Sequence, residues 1–193
     1  MSRLMQSIPA AIVMAGVFFF SALDASAVQS SRTTSSVMDS QGNTYVTGWR
    51  VTQNRVTPQN TSEYISDIVT IKYDKYGREV WADQFPKNSG WDPPDIRDAE
   101  GWAITVDRQG NVYVAGHAGR PGDVDCVLIK YGADWLFYQQ GKRPDDWVRT
   151  IAGSGGGNDQ FWNVAVDPDG FIYATGYIRQ ANAGVVSHDL ITV

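Results

Sequence analysis

Four groups of residues have types that could do chemistry: three acidic turns, an acidic loop, two histidines and seven tryptophans. The turns read Asp39-Ser-Gln-Gly42, Asp107-Arg-Gln-Gly110 and Asp167-Pro-Asp-Gly170. A calcium ion takes about six to eight oxygen ligands, which one carboxylate per turn does not supply, nor the two that Asp169 gives the last turn. An Asp at the first turn position can instead hydrogen-bond the backbone ahead of it, and a Gly at the fourth accepts the geometry. Asp39, Gly42, Asp107, Gly110, Asp167 and Gly170 are therefore expected to be structural.

The loop from Trp91 through Asp95 and Asp98 to Glu100 is the densest acidic stretch. It could hold a cation or a basic partner, but a charged loop stiffened by Pro93 and Pro94 more often simply faces water. His117 and His188 stand in no metal-ligand spacing, and no serine or cysteine motif completes a nucleophilic triad. Ser154, in Gly153-Ser-Gly-Gly-Gly157, lacks both the strand–turn–helix context of a nucleophile elbow and the lysine of a phosphate loop. No catalytic residue, metal ligand or cofactor is expected, and the chain is not expected to be an enzyme. Trp81, Trp102, Trp147 and Trp162 recur at matched positions and are expected to pack between repeat units, since an aromatic buries a large area. Trp49, Trp91 and Trp135 fall outside the pattern. With Asp95 and Asp98 they are the candidates for an exposed ligand surface, the tryptophans for stacking on a sugar ring.

The elements that must position these residues repeat. The strings beginning at Asp39, Asp107 and Asp167 share Gly at the fourth position, Tyr at the seventh and Gly at the tenth. Each is followed by a second string: Asp67-Ile-Val-Thr-Ile-Lys-Tyr73, Asp125-Cys-Val-Leu-Ile-Lys-Tyr131 and Asp189-Leu-Ile-Thr-Val193. Two are preceded by a third, Trp102-Ala-Ile-Thr-Val106 and Trp162-Asn-Val-Ala-Val166. Strand-like segments keep their lengths while connections vary, as loops tolerate insertion. Each unit reads as four short strands, and the nearly continuous apolar run at Asp125–Tyr131 suits a strand covered on both faces. The prediction is an all-β chain of β-propeller blades, four-stranded antiparallel sheets at roughly residues 37–86, 99–152 and 159–193. That gives about two and a half blades and an incomplete ring.

Arg3, the apolar run Ala10–Phe20 and the Ala25-Ser26-Ala27 triplet form the pattern of a secretory leader over residues 1–27. Residues 28–36 are polar and read as a flexible lead-in to a repeat region over 37–193. No second run of spanning length follows, so no stable membrane insertion is expected after cleavage. The chain is expected to be exported to the periplasm, the cell surface or the medium. A formal net charge of −5 gives no basic footprint for nucleic acid. The single cysteine, Cys126, supports no disulfide framework and lies in an apolar run that suits burial.

The string Asp107-x-x-Gly-Asn-x-Tyr-Val-x-Gly116 and the longer one from Asp67 to Trp81 are similar to the bacterial β-propeller repeat called SBBP. The resemblance runs from about Val37 to Val193. It departs after Tyr131, where the Asp-x-x-Gly turn is missing and an insertion runs through Trp135 to Pro144, and at Phe171, where the other units have Asn. It implies an exported or cell-surface scaffold and carries over no catalytic residue. The leading expectation is a non-enzymatic binding scaffold for a protein partner. An oligomeric, lectin-like glycan binder is the alternative. A propeller enzyme is the third reading, since Asp74-x-x-Gly77…Trp81 is faintly similar to quinoprotein blades. An incomplete ring could belong to a longer propeller, be closed by several copies, or persist with a frayed end.

Overall fold

The computed structural model describes residues 30–56, 62–86, 96, 98–133, 146–182 and 185–192. Within them the chain is all-β and forms three antiparallel sheets. Sheet 1 joins β1 (Ser30–Met38), β2 (Thr44–Val56), β3 (Ser62–Tyr73) and β4 (Glu79–Phe85) in chain order. Sheet 2 joins β5 (Asp98–Val106), β6 (Val112–Arg120), β7 (Asp123–Tyr131) and β8 (Trp147–Ile151) in the same way. Sheet 3 joins β9 (Gln160–Val166), β10 (Ile172–Asn182) and β11 (Val185–Thr192). These sheets do not close into a ring. Among the described residues no helix is long and apolar enough to cross a membrane.

The sheets stack face to face. Strand β5 packs against β1, β2 and β3, and β9 packs against β5, β6 and β7. The first seam buries Tyr45, Ile68, Trp81 and Phe85 of sheet 1 against Ile104, Val112, Val114, Val127, Ile129 and Tyr131 of sheet 2. Trp81 lies between Tyr45 and Tyr131, with ring centroids 6.3 and 5.4 Å away. In the second seam Ala103, Tyr113, Ala115, Cys126 and Leu128 of sheet 2 meet Phe161, Val164 and Ala174 of sheet 3. Sheet 2 is thus covered on both faces, which is why β6 and β7 are buried almost without interruption. Cys126 is fully buried and free.

A backbone amide at the start of the first strand of sheets 2 and 3 crosses each seam. The Ala99 amide donates to Ser66 Oγ at 3.1 Å, and the Asp159 amide donates to the Val124 carbonyl at 2.7 Å. Ala99 and Asp159 hold equivalent places at the starts of β5 and β9, so the two seams are built alike by different acceptors.

Two expectations need correction. The flexible lead-in predicted over 28–36 is strand β1 from Ser30 onward, paired with β2 from Ser30↔Val51 to Met38↔Thr44. Its polar sequence hid it: most of β1 is exposed, so it lacks the apolar alternation that marks a half-buried strand. Trp162, expected between repeat units, is 54% exposed, because it lies on the face of sheet 3 that no described sheet covers.

Candidate functional site

The acidic turns resolve into a hydrogen-bonded motif. Asp39 Oδ1 accepts from the amides of Gln41 and Asn43, and Oδ2 accepts from Asn43 Nδ2 and the Tyr45 hydroxyl. Asp107 accepts from the amide and side chain of Asn111 and from the Tyr113 hydroxyl at 3.0 Å. Asp167 accepts from the amides of Asp169 and Phe171 and from the Tyr173 hydroxyl. Gly42, Gly110 and Gly170 have φ of 85, 88 and 90°, the left-handed region that glycine enters without strain. Burial works against the Asp39 carboxylate, yet these hydrogen bonds outweigh it and its pKa is lowered. Burial and the bond to Asp107 push the Tyr113 phenol up to about 12, so it remains a donor at any physiological pH. The turn carboxylates are engaged locally. Tyr113→Phe leaves a part-buried carboxylate short of one donor and is expected to cost about 1 kcal/mol in urea unfolding, more than the same change at exposed Tyr173.

A second set of groups meets where β5 begins beside the end of β6. Glu100 on β5 pairs directly with His117 on β6, and Asp98 lies two residues earlier. Ligand atoms of Asp98, Glu100 and His117 all lie within 4.8 Å of one another. Trp102 Nε1 donates to His117 Nδ1 at 3.2 Å. An indole N–H can only donate, so Nδ1 accepts and the proton of the neutral imidazole sits on Nε2. That nitrogen faces Asp98 Oδ1 at 3.5 Å, which also accepts from Ser66 Oγ across the seam at 3.2 Å.

Two carboxylates and an imidazole are donors of the kind a divalent ion uses. A metal-bound histidine, however, normally donates its second ring N–H to a carboxylate, carbonyl or water. Here that second nitrogen faces a donor, so ligation through Nε2 would require giving up the Trp102 bond. The same arrangement disfavours general-base work, because both ring nitrogens are engaged. The chemistry that fits is positional: Asp98 and Trp102 fix the imidazole, and Asp98 ties it to Ser66 of sheet 1.

Hydrogen bonds from His117 and Ser66 lower the pKa of Asp98 against the opposing effect of burial. Burial raises that of Glu100. A lowered carboxylate stabilises the fold above its unfolded value, near 3.8, and loses that contribution as pH falls through its folded pKa. Asp98→Asn is therefore expected to be less stable than the parent at pH 7, with the gap closing below pH about 3.8. Denaturant unfolding at both pH values checks this; a gap that is unchanged at low pH would contradict it.

Position in the repeat supports a positional role. His117 follows Gly116 as Trp49 follows Gly48 and Tyr177 follows Gly176. Trp102 is the unpaired residue of a bulge in β5, as Thr34 is in β1 and Trp162 in β9. The Trp102–His117 pair, with centroids 6.4 Å apart, matches the Trp162–Tyr177 pair at 5.0 Å. His117 thus occupies a site that aromatic rings fill in the other units.

Of the surface candidates, Trp91, Asp95 and Trp135 lie outside the described residues. Trp49 is half-buried on β2, and its indole Nε1 is buried without a hydrogen-bond partner. Asp98 belongs to strand β5 rather than to a solvated loop. Sequence spacing missed the meeting of Asp98, Glu100 and His117 because it depends on strand register. The Tyr–Asp bond was legible: Tyr stands six residues after Asp in every unit. No protein-family model matches the chain, and no curated protein matches it.

Proposed function

We propose that the chain is an exported, non-enzymatic scaffold whose sheets are consecutive β-propeller blades presenting their connecting loops to a protein partner. One observation carries this reading: the same inner-edge device recurs three times. A bulge at Thr34, Trp102 or Trp162 accompanies a glycine, Gly48, Gly116 or Gly176, against which the carbonyl of Arg32, Glu100 or Gln160 rests where a side chain would begin. Such a device, recurring on the first strand of each sheet, marks the three sheets as copies of one unit, and a propeller is built by repeating one four-stranded unit.

The similarity of the repeat strings to SBBP units and the leader-like residues 1–27 support the exported scaffold. The doubly engaged His117 supports a non-catalytic role. The test uses the purified chain as bait for an envelope extract of its host. A protein retained through moderate salt is expected. Retention of nothing at any salt, by bait with a β-rich circular dichroism spectrum, would contradict the reading. Glycan-array binding accompanied by a change in tryptophan fluorescence would favour the lectin-like alternative.

A further inference from the structure

Trp102 and His117 hold each other by a bond that only a neutral imidazole can make. The Trp102 indole Nε1 donates to His117 Nδ1 at 3.2 Å, and the ring centroids lie 6.4 Å apart. An imidazolium carries a proton on both nitrogens and has no acceptor left. No flip of the ring restores one, since either nitrogen would then present a donor to the indole. Protonation therefore ends this bond and leaves the charged ring with its carboxylate neighbours. Asp98 Oδ1 lies 3.5 Å from Nε2, and the ligand atoms of Asp98, Glu100 and His117 all lie within 4.8 Å of one another. A hydrogen bond between charged groups is about twice as strong as a neutral one. The cation is thus held where it stands, and the indole is the group that must move.

From this geometry we infer that His117 is a proton-operated latch on Trp102: the neutral ring holds the indole against β6, and the protonated ring releases it. Histidine is the side chain that ordinarily changes charge between about pH 5 and 8. Trp102 is half-buried at the bulge of β5, so water is at hand to take the N–H that is let go. The remaining groups around the ring do not supply a substitute proton or acceptor. Cys126 pairs with His117 from β7, but its thiol, pushed up to about 12 chiefly by burial, stays neutral. Arg32 of sheet 1 acts on Glu100 and, as a guanidinium, only donates. Asp125 and Asp159 are felt at Cys126, and the Asp159 oxygens already accept from the Gly153 and Arg179 amides. Position in the repeat places the latch in sheet 2. Trp49 and Tyr177 stand where His117 does, and neither side chain changes charge in the range in which a histidine does.

The experiment follows the indole N–H signals of the purified chain by nuclear magnetic resonance from about pH 8 to pH 5. The Trp102 signal is assigned from Trp102→Phe, and the His117 Cε1 proton is read in the same samples. As the ring takes up its proton, the Trp102 signal is expected to move upfield and to exchange faster with water, with the same midpoint as the ring. His117→Gln, whose amide oxygen can still accept from the indole, should lose this pH dependence. Trp102→Phe should move the titration of the ring to higher pH, because the bond it removes favours the neutral form. That reciprocal shift is what a merely structural histidine would not show. An indole signal that stays fixed while the ring titrates would overturn the inference. So would a ring that stays neutral down to pH 5, a pH dependence that survives in His117→Gln, or a midpoint unchanged in Trp102→Phe. The latch requires neither the blade reading nor a partner, so it and the envelope-capture test can each fail alone.

Discussion

Gly116→Ala is expected to destabilise the chain by about 3 kcal/mol or more. A Cβ at this position would overlap the Glu100 carbonyl oxygen, and would lie 3.0 Å from its carbon and 3.1 Å from Gly101 Cα. All three are backbone atoms of the neighbouring strand and cannot rotate away as a flexible side chain could. Relief would require β5 to leave β6 beside the bulge at Trp102, taking Asp98 and Glu100 with it. Gly77→Ala is the internal control. Gly77 has a φ of +80°, and a methyl group there would meet no heavy atom within 4 Å, so the cost is the left-handed backbone alone, about 1 kcal/mol. Urea unfolding of the two variants decides the matter: equal, mild effects would mean that the close approach is not a constraint. The same reasoning applies to Gly48 and Gly176, where the carbonyls of Arg32 and Gln160 make the same approach.

Trp81→Ala is expected to cost about 3–5 kcal/mol, the range for truncating a buried aromatic. Trp81 is 4% exposed and fills the first seam between Tyr45 of its own sheet and Tyr131 of the next. Its removal opens a cavity that two rigid rings cannot collapse into. Trp162→Ala, measured on chains dilute enough to be monomeric, should change stability by no more than about 0.5–1 kcal/mol, because Trp162 is 54% exposed. The comparison by chemical denaturation separates burial from residue type. Similar losses at both positions would show that Trp162 has a cover in the monomer that the described residues do not supply.

What the sequence revealed was local or repeated. Each acidic turn is complete within a few residues, so its Asp and Gly announced its geometry directly. The run at Asp125–Tyr131 announced a strand covered on both faces because burial on both sides removes the alternation. Less legible was anything fixed by a neighbouring sheet. Strand β1 has too little buried surface to imprint a pattern. Trp162 shares its repeat position with Trp102, but whether that position is buried depends on the sheet that follows. The grouping of His117 with Asp98 and Glu100 needs the register of β5 on β6, including its bulge, and neither residue type nor spacing encodes that register.

Amide hydrogen exchange at Ala99 and Asp159 tests the stacking of the three sheets most directly. These two amides are backbone donors that cross the seams, at 3.1 Å to Ser66 Oγ and 2.7 Å to the Val124 carbonyl. Exchange reports local opening free energy residue by residue. Sheets stacked as successive blades predict that both amides exchange as slowly as mid-strand amides such as that of Val114. Exchange of either at the rate of an exposed turn amide such as that of Arg108 would mean that its seam is open, contradicting the blade arrangement on which the proposed scaffold rests.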